Sequence, residues 1–236
     1  MDGQLIDWAD AKVHVLTHTL HYGLGVFEGV RAYSTPEGTK IFRLNDHTNR
    51  LFESAKAVNM KIPFSQQEIN EAQKEVFRVN ELDEGYIRPM CFYGSEGMGL
   101  RADNLKVHCI VAAWEWPSYM SPEAFEKGIN IKISSYKRET GNIVSRSKDN
   151  GNYVTSIMAL QEAMKEGYDE ALLLDDEDNI SEGSGENFFI VKNQTLFTPD
   201  LDASLDGITR KSIISLAEEL GVKVEVKKVK LQDVLD

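Results

Sequence analysis

The sequence predicts an α+β fold in two domains, and three observations carry that prediction. Some segments alternate apolar and polar residues with a period of two, and others keep one apolar face at helical spacing. A turn-rich stretch, PSYMSPEAFEKG, with breaks at Pro117 and Pro122, separates two strand–helix systems. The 236 residues, 42% hydrophobic and 27% charged, suffice for one large or two modest soluble domains. The expected division is 1–114 for a small N-terminal domain, 115–125 for the connection and 126–236 for the part present of a larger, incomplete second domain.

Residues 4 to 43 read as strands. KVHVL alternates, and VFEGVRAY and TKIFRL flank a Thr-Pro-Glu-Gly turn, a hairpin signal. A helix follows with Asn45 as its expected N-cap and Leu51, Phe52, Ala55 and Val58 on one face. Ser65-Gln66-Gln67-Glu68 reads as a capping box opening a second helix that turns Ile69, Ala72, Val76 and Phe77 inward. YIRPMCFYG and KVHCIVAAWEW complete the first system as strands. The second opens with the strand INIKISSYKR and the Gly/Asn/Ser-rich stretch GNIVSRSKDNGN. A helix from Tyr153 to about Glu166 then closes on Gly167. EALLLD with ISEG, and NFFIVK with TLFTP, read as hairpins. A helix runs from near Thr209 to Gly221, VKVEVKKV alternates as a strand, and LQDVLD starts a helical turn.

A net charge of −12 repels phosphate backbones, which argues against a general nucleic-acid binder and leaves an anionic small molecule in need of a local basic pocket. No apolar run approaches the ~20 residues of a spanning helix, so no membrane role is expected. The two cysteines, Cys91 and Cys109, sit in apolar segments without zinc spacing and read as buried thiols of a reducing cytosol. The polar, acidic start MDGQLIDWADAK resembles neither a signal nor a transit peptide, so a cytoplasmic location is expected.

Three local features could carry chemistry. Lys148, in SRSKDNGNY, is a lysine among small residues between a strand and a helix, where it can enter a cleft; Arg146 could lower its pKa by like-charge repulsion. Taken alone it reads more simply as a solvated loop lysine. LDGITR places a glycine and a hydroxyl at a helix start, either an anion site or an N-cap at Thr209. ISEGSGEN sets two glycines and two acids between strands, either an ordinary polar turn or a carboxylate facing a cationic heterocycle. Together, an amine for an aldehyde, a carboxylate for a pyridinium nitrogen and a helix start for a phosphate are what pyridoxal phosphate requires.

These features lie in motifs, HTLHYGLGVFEGVRAY, HTNRLFESAK, YIRPMCFYGSEGMG, SKDNGNY, ISEGSGENFF and LDGITRKSI, that together resemble the branched-chain amino-acid aminotransferases. These are class IV, fold-type IV pyridoxal-phosphate enzymes, and the likeness runs over essentially the whole chain. It implies a cofactor in the cleft between a small domain and a larger cofactor-binding domain. It implies transamination of leucine, isoleucine or valine with 2-oxoglutarate, and a homodimer or an assembly of dimers. Lys148 would condense with the cofactor aldehyde and shuttle a proton. Glu182 would face the ring nitrogen, Tyr153 the ring hydroxyl and Leu205 the ring. Arg50, Gly207, Ile208 and Thr209 would hold the phosphate. Tyr22, Phe27, Trp116 and Tyr119 would take the aliphatic side chain. Tyr86 would bind the α-carboxylate and Arg88 the distal carboxylate of glutamate. Gly29, Arg31, Met98 and Gly99 would line the same region, and Tyr22 with the turn after Met98 would reach the partner subunit's site.

The family runs on beyond Asp236 into a Ser-Gly-Thr-Ala turn and begins with further strand residues, so a fragment is expected. Asp206 stands where some relatives have proline, adding negative charge near the phosphate unless its side chain turns away. Two alternatives remain at this level. One is a related class IV enzyme, a D-amino-acid aminotransferase or aminodeoxychorismate lyase, against which Arg88, Trp116 and Tyr119 argue by resemblance. The other is a non-catalytic fragment.

Overall fold

The computed structural model describes residues 1–117, 121–144 and 146–235. The chain divides into two compact units, Met1–Tyr119 with Ser147–Gly151, and Met120–Arg146 with Asn152–Asp236. The sequence reading assigned everything from 126 onward to the second domain; in the structure Ser147–Gly151 packs with the first unit.

The first unit is an antiparallel sheet backed by helices. Its elements are α1 (His18–Tyr22), β1 (Gly25–Phe27), β2 (Val30–Tyr33), β3 (Lys40–Ile41), α2 (Leu44–Ala57), α3 (Gln66–Val79), β4 (Gly85–Tyr93) and β5 (Val107–Trp114). β1 and β2 pair with β4 in one continuous register, Phe27 opposite Met90 and Val30 opposite Ile87, while β5 pairs with β4 as well. The break between β1 and β2 has a chemical cause. Glu28 N–H donates to the Pro89 carbonyl at 2.9 Å, but proline has no N–H to return. The strand period puts Val26, Val30, Ala32, Ile87 and Cys91 on the face covered by α2 and α3, where Leu51, Ala55, Ile69 and Phe77 complete the core. Phe27, Arg31, Tyr86 and Arg88 have the opposite parity and share the other face.

The predicted hairpin forms, with Ala32 opposite Ile41. The capping box at Ser65 and Glu68 forms in full. Cys91 and Cys109 are both free, buried thiols, opposite one another across β4 and β5. Two expectations fail. KVHVL is not a strand: no strand pairs with it among the described residues, and Val13, Val15 and Leu16 are exposed. Alternation reports two faces but does not supply an edge to pair with. The N-cap of α2 is Arg43, in a left-handed conformation with its Nε on Asp46 at 2.7 Å, and Asn45 lies inside the helix.

The second unit holds α4 (Pro122–Lys127), β6 (Ile131–Arg138), α5 (Tyr153–Lys165), β7 (Glu170–Asp175), β8 (Asn179–Gly183), β9 (Ile190–Lys192), β10 (Thr195–Thr198), α6 (Ile208–Glu219), β11 (Lys223–Val226), β12 (Val229–Lys230) and α7 (Leu231–Leu235). One sheet has the order β12-β8-β7-β6 and the other β11-β10-β9. β6 and β7 run parallel, as do β10 and β11, so α5 and α6 serve as their crossovers. Buried throughout, β7 packs Ala171 and Leu173 on Ala159 and Ala163 of α5, and Leu172 and Leu174 on Ile180 and Val229. The predicted hairpins of β7 with β8 and β9 with β10 form, and Gly167 ends α5 at φ 85°. VKVEVKKV divides into β11 and β12, which belong to different sheets. The N-cap of α6 is Gly207, not Thr209.

Candidate active site

In the first unit, β1 is the anchor of Lys148. Phe27 N–H donates to the Lys148 carbonyl at 3.1 Å, and Asn150 N–H to the Gly25 carbonyl at 2.9 Å. From the other side, Lys148 N–H donates to Ser54 Oγ of α2 at 3.0 Å. The backbone is thus held by two elements, and the half-buried side chain brings Nζ to 5.0 Å from the centre of the Phe27 ring. A lysine held this way is not a solvated loop residue.

Beside it, on the face of the sheet away from α2 and α3, Arg88 lies over the rings of Phe27, at 4.6 Å, and Tyr86, at 5.4 Å. Tyr86 is flanked by Trp116, ring centres 4.6 Å apart, and Arg31 Nη1 donates to the Trp116 carbonyl at 2.8 Å. Gly29 is required here: a Cβ on it would stand 1.8 Å from the Tyr86 hydroxyl. Among the described residues no carboxylate pairs with Arg88, and its Nε is buried without a hydrogen bond. A half-buried cation on aromatic faces without an acid is costly in isolation, and suits a site that receives an anion. Phe27, Gly29, Arg31, Tyr86, Arg88, Trp116 and Lys148 therefore form one group. Tyr22, Met98 and Gly99 form another: Gly99 N–H donates to the Tyr22 hydroxyl at 3.1 Å, and Tyr22 and Met98 are exposed. Tyr119 lies outside the described residues.

Arg50 projects from α2 onto Glu28. Arg50 Nε donates to Glu28 Oε1 at 2.6 Å and Nη2 to Oε2 at 2.9 Å, while His47 Nδ1 lies 2.7 Å from Oε2. Glu28 has no exposed surface. Burial alone would push its carboxyl up, but the hydrogen bonds from Arg50 and His47 outweigh burial and hold it at about 2.

In the second unit the corresponding acid is Glu182 on β8, which is buried. Leu205 N–H donates to its Oε2 at 3.0 Å, and Arg138 Nη2 lies 3.1 Å from its Oε1. Arg138, also buried, ends β6 and donates to Ser156 Oγ at 2.7 Å and to the Asn152 carbonyl at 3.2 Å. Those contacts fix the start of α5, where Tyr153 is half-buried. Asn187 Nδ2 donates to the Leu205 carbonyl at 2.9 Å, and its Oδ1 would lie 1.8 Å from a Cβ on Gly207. Glycine at that N-cap lets Asn187 close on the loop and leaves the helix start without a side-chain cap. Glu182, Leu205 and Gly207 are thereby brought to the start of α6, with Ile208 buried and Thr209 exposed. Asp206 is paired with Lys211 at 2.6 Å, which offsets the added charge.

The sequence reading missed Glu28, His47 and Arg138. Glu28 had a legible signal, since the period of VFEGVRAY gives it the parity of Val26 and Val30, so an acid stands at a core position and demands a cation. Arg138 had none, because its strand alternates only weakly in burial.

Comparison with known proteins decides the family. The profile described as Amino-transferase class IV matches residues 25–236. This chain belongs to the class IV aminotransferases. The branched-chain-amino-acid aminotransferase of Pseudomonas aeruginosa is 56% identical over 234 residues, covering 99% of this chain and 76% of that protein. Its Escherichia coli K12 counterpart is 44% identical over 226 residues, covering 94% and 73%. Among solved structures, the Escherichia coli branched-chain amino acid aminotransferase superposes with a TM-score of 0.95 at 42% identity, over 98% of this class IV aminotransferase and 77% of that chain. The T.th. branched-chain amino acid aminotransferase solved with pyridoxamine 5′-phosphate gives 0.93 at 43% identity, over 96% and 75%.

Proposed function

We propose that this chain is a branched-chain amino-acid aminotransferase that uses pyridoxal 5′-phosphate to exchange amino groups between leucine, isoleucine or valine and 2-oxoglutarate. The observation that carries the reading is Lys148, held at its backbone by Phe27 and Ser54 with its amine at the Phe27 ring. Its support is the chemistry of the donor set: an amine, a buried carboxylate at Glu182, a guanidinium at Arg50 and a helix start at Gly207 without a side-chain cap.

The cofactor, when bound, supplies an aldehyde to hold the amino group and a protonated ring to take up electrons. The remaining steps belong to the protein. Lys148 would be the residue that holds the cofactor aldehyde, and its amine would carry the proton to and from the substrate Cα. Glu182, kept in place by Arg138 and Leu205, would accept a hydrogen bond from the ring nitrogen. Tyr153 would donate to the ring hydroxyl, and Leu205 would pack on the ring. Arg50, Ile208 and Thr209 would bind the phosphate. Tyr86 would orient the α-carboxylate, while Phe27 and Trp116, with the Tyr22 and Tyr119 that the resemblance adds, would take the aliphatic side chain. Arg88 receives the distal carboxylate of glutamate, consistent with its lack of an acid partner among the described residues.

A homodimer is part of the reading, with Tyr22, Met98 and Gly99 toward the partner. So is a cytoplasmic location, supported by two free buried thiols. Among the described residues no helix is long and apolar enough to cross a membrane. Borohydride reduction of the protein loaded with pyridoxal 5′-phosphate, followed by peptide mass mapping, tests the assignment of the lysine. The reading expects the pyridoxyl label on Lys148; a label on another lysine, or none, contradicts it.

A further inference from the structure

The Glu28 carboxylate is unusual for its place. It stands on the core face of the sheet, fully buried, where an unpaired charge is strongly disfavoured. Its side-chain partners come from one helix, Arg50 through a two-point contact and His47 at 2.7 Å, and the backbone N–H of Gly29 is a longer donor at 3.3 Å. A single contact would leave the guanidinium free to swing about its stem, whereas two parallel contacts fix its plane. The same strand grips Lys148, because the residue before Glu28 donates to the lysine carbonyl.

We propose that Glu28, supported by His47, is a positioning residue for Arg50, fixing the guanidinium in the orientation that receives the cofactor phosphate. The inference rests on the proposed function, in which Arg50 binds that phosphate. It makes a signed claim. Glu28 nearly cancels the charge of Arg50, so if net charge governed phosphate binding, removing the carboxylate would strengthen it. If orientation governs, removal weakens it. The bonds from Arg50 and His47 outweigh burial and keep the carboxyl ionised across the neutral range, so the contact persists in working conditions.

The test compares equilibrium affinities of the full chain for pyridoxal 5′-phosphate and for pyridoxal, which lacks the phosphate, by absorbance and fluorescence titration. Glu28→Gln is expected to weaken pyridoxal 5′-phosphate by about tenfold, the size of a lost charge-assisted contact, and to leave pyridoxal unchanged. Arg50→Ala is expected to abolish the preference for the phosphorylated ligand, and the double variant to be no weaker than Arg50→Ala alone. His47→Ala, which leaves the two-point contact in place, is expected to show the same pattern at smaller size and serves if Glu28→Gln does not fold. Equal losses for both ligands, tighter binding, or additive losses in the double variant overturn the proposal. Retained phosphate preference in Arg50→Ala overturns the role of Arg50 as well. Wild-type protein that binds neither ligand overturns the functional reading itself, and with it the inference.

Discussion

In the first unit a buried acid holds an arginine, and in the second a buried arginine holds an acid. Glu28 receives Arg50 and His47, and Arg138 reaches Glu182, Ser156 and the Asn152 carbonyl. Arg50 and Glu182 are thus each held by a partner of opposite charge that is itself buried. The arrangements differ in completeness. Both Glu28 oxygens are engaged by cationic or N–H donors, whereas Arg138 keeps a buried Nε without a hydrogen bond among the described residues. The first acid has both oxygens in use, and the second arginine has a donor to spare.

The largest expected difference comes from breaking each pair at its buried holder. Arg138→Met leaves Glu182 buried against an apolar side chain and is expected to cost about 3–5 kcal/mol. Glu28→Gln keeps a hydrogen-bonding group against Arg50 and is expected to cost less. Urea unfolding of both variants measures the gap, and equal losses would erase the asymmetry between the units. Next in size is an acid-limb effect specific to the first unit. The Glu28 carboxyl stands at about 2 against an ordinary 4.5. Its contribution is therefore complete above the ordinary value and is lost as pH falls from there toward 2, about 3 kcal/mol in all. Thermal unfolding from pH 5 to pH 2 should fall less steeply in Glu28→Gln than in wild type; parallel curves would mean that Glu28 is not held as described.

The glycines give a matched pair of smaller effects. A Cβ on Gly29 meets the Tyr86 hydroxyl and one on Gly207 meets Asn187 Oδ1, each at 1.8 Å. Overpacking of this kind costs about 1–3 kcal/mol. Gly29→Ala is expected to raise KM for leucine and spare cofactor affinity, and Gly207→Ala to do the reverse. The same phenotype in both would dissolve the division of labour. Smallest is Lys211→Ala, which removes the half-exposed ion pair to Asp206 and is expected to change stability by less than about 1 kcal/mol.

What the sequence made legible was local chemistry. The Ser65–Glu68 box, the turn before β3 and the Gly167 stop all depend on residues within one turn of each other, and all formed. KVHVL misled because a strand needs a partner, and a period does not supply one. The return of Ser147–Gly151 to the first unit was not legible, since a short polar segment carries no pattern that says which core it joins. Glu28 was readable from parity, but only once β1 and β2 are recognised as one continuous register interrupted opposite Pro89. Thr209 lies inside α6 and the cap is Gly207, where Asn187, distant in sequence, occupies the space a side chain would need. The roles at the site rested on resemblance, because a lysine, an acid and a helix start do not declare a shared ligand one at a time.

The most direct test of the whole account is the visible spectrum of the chain with pyridoxal 5′-phosphate, recorded before L-leucine, after it, and again after 2-oxoglutarate. The account predicts a lysine-bound cofactor band that leucine converts to the pyridoxamine form and 2-oxoglutarate restores, with no such band in Lys148→Ala. A wild-type band unmoved by leucine, or a Lys148→Ala variant that behaves as wild type, would contradict it.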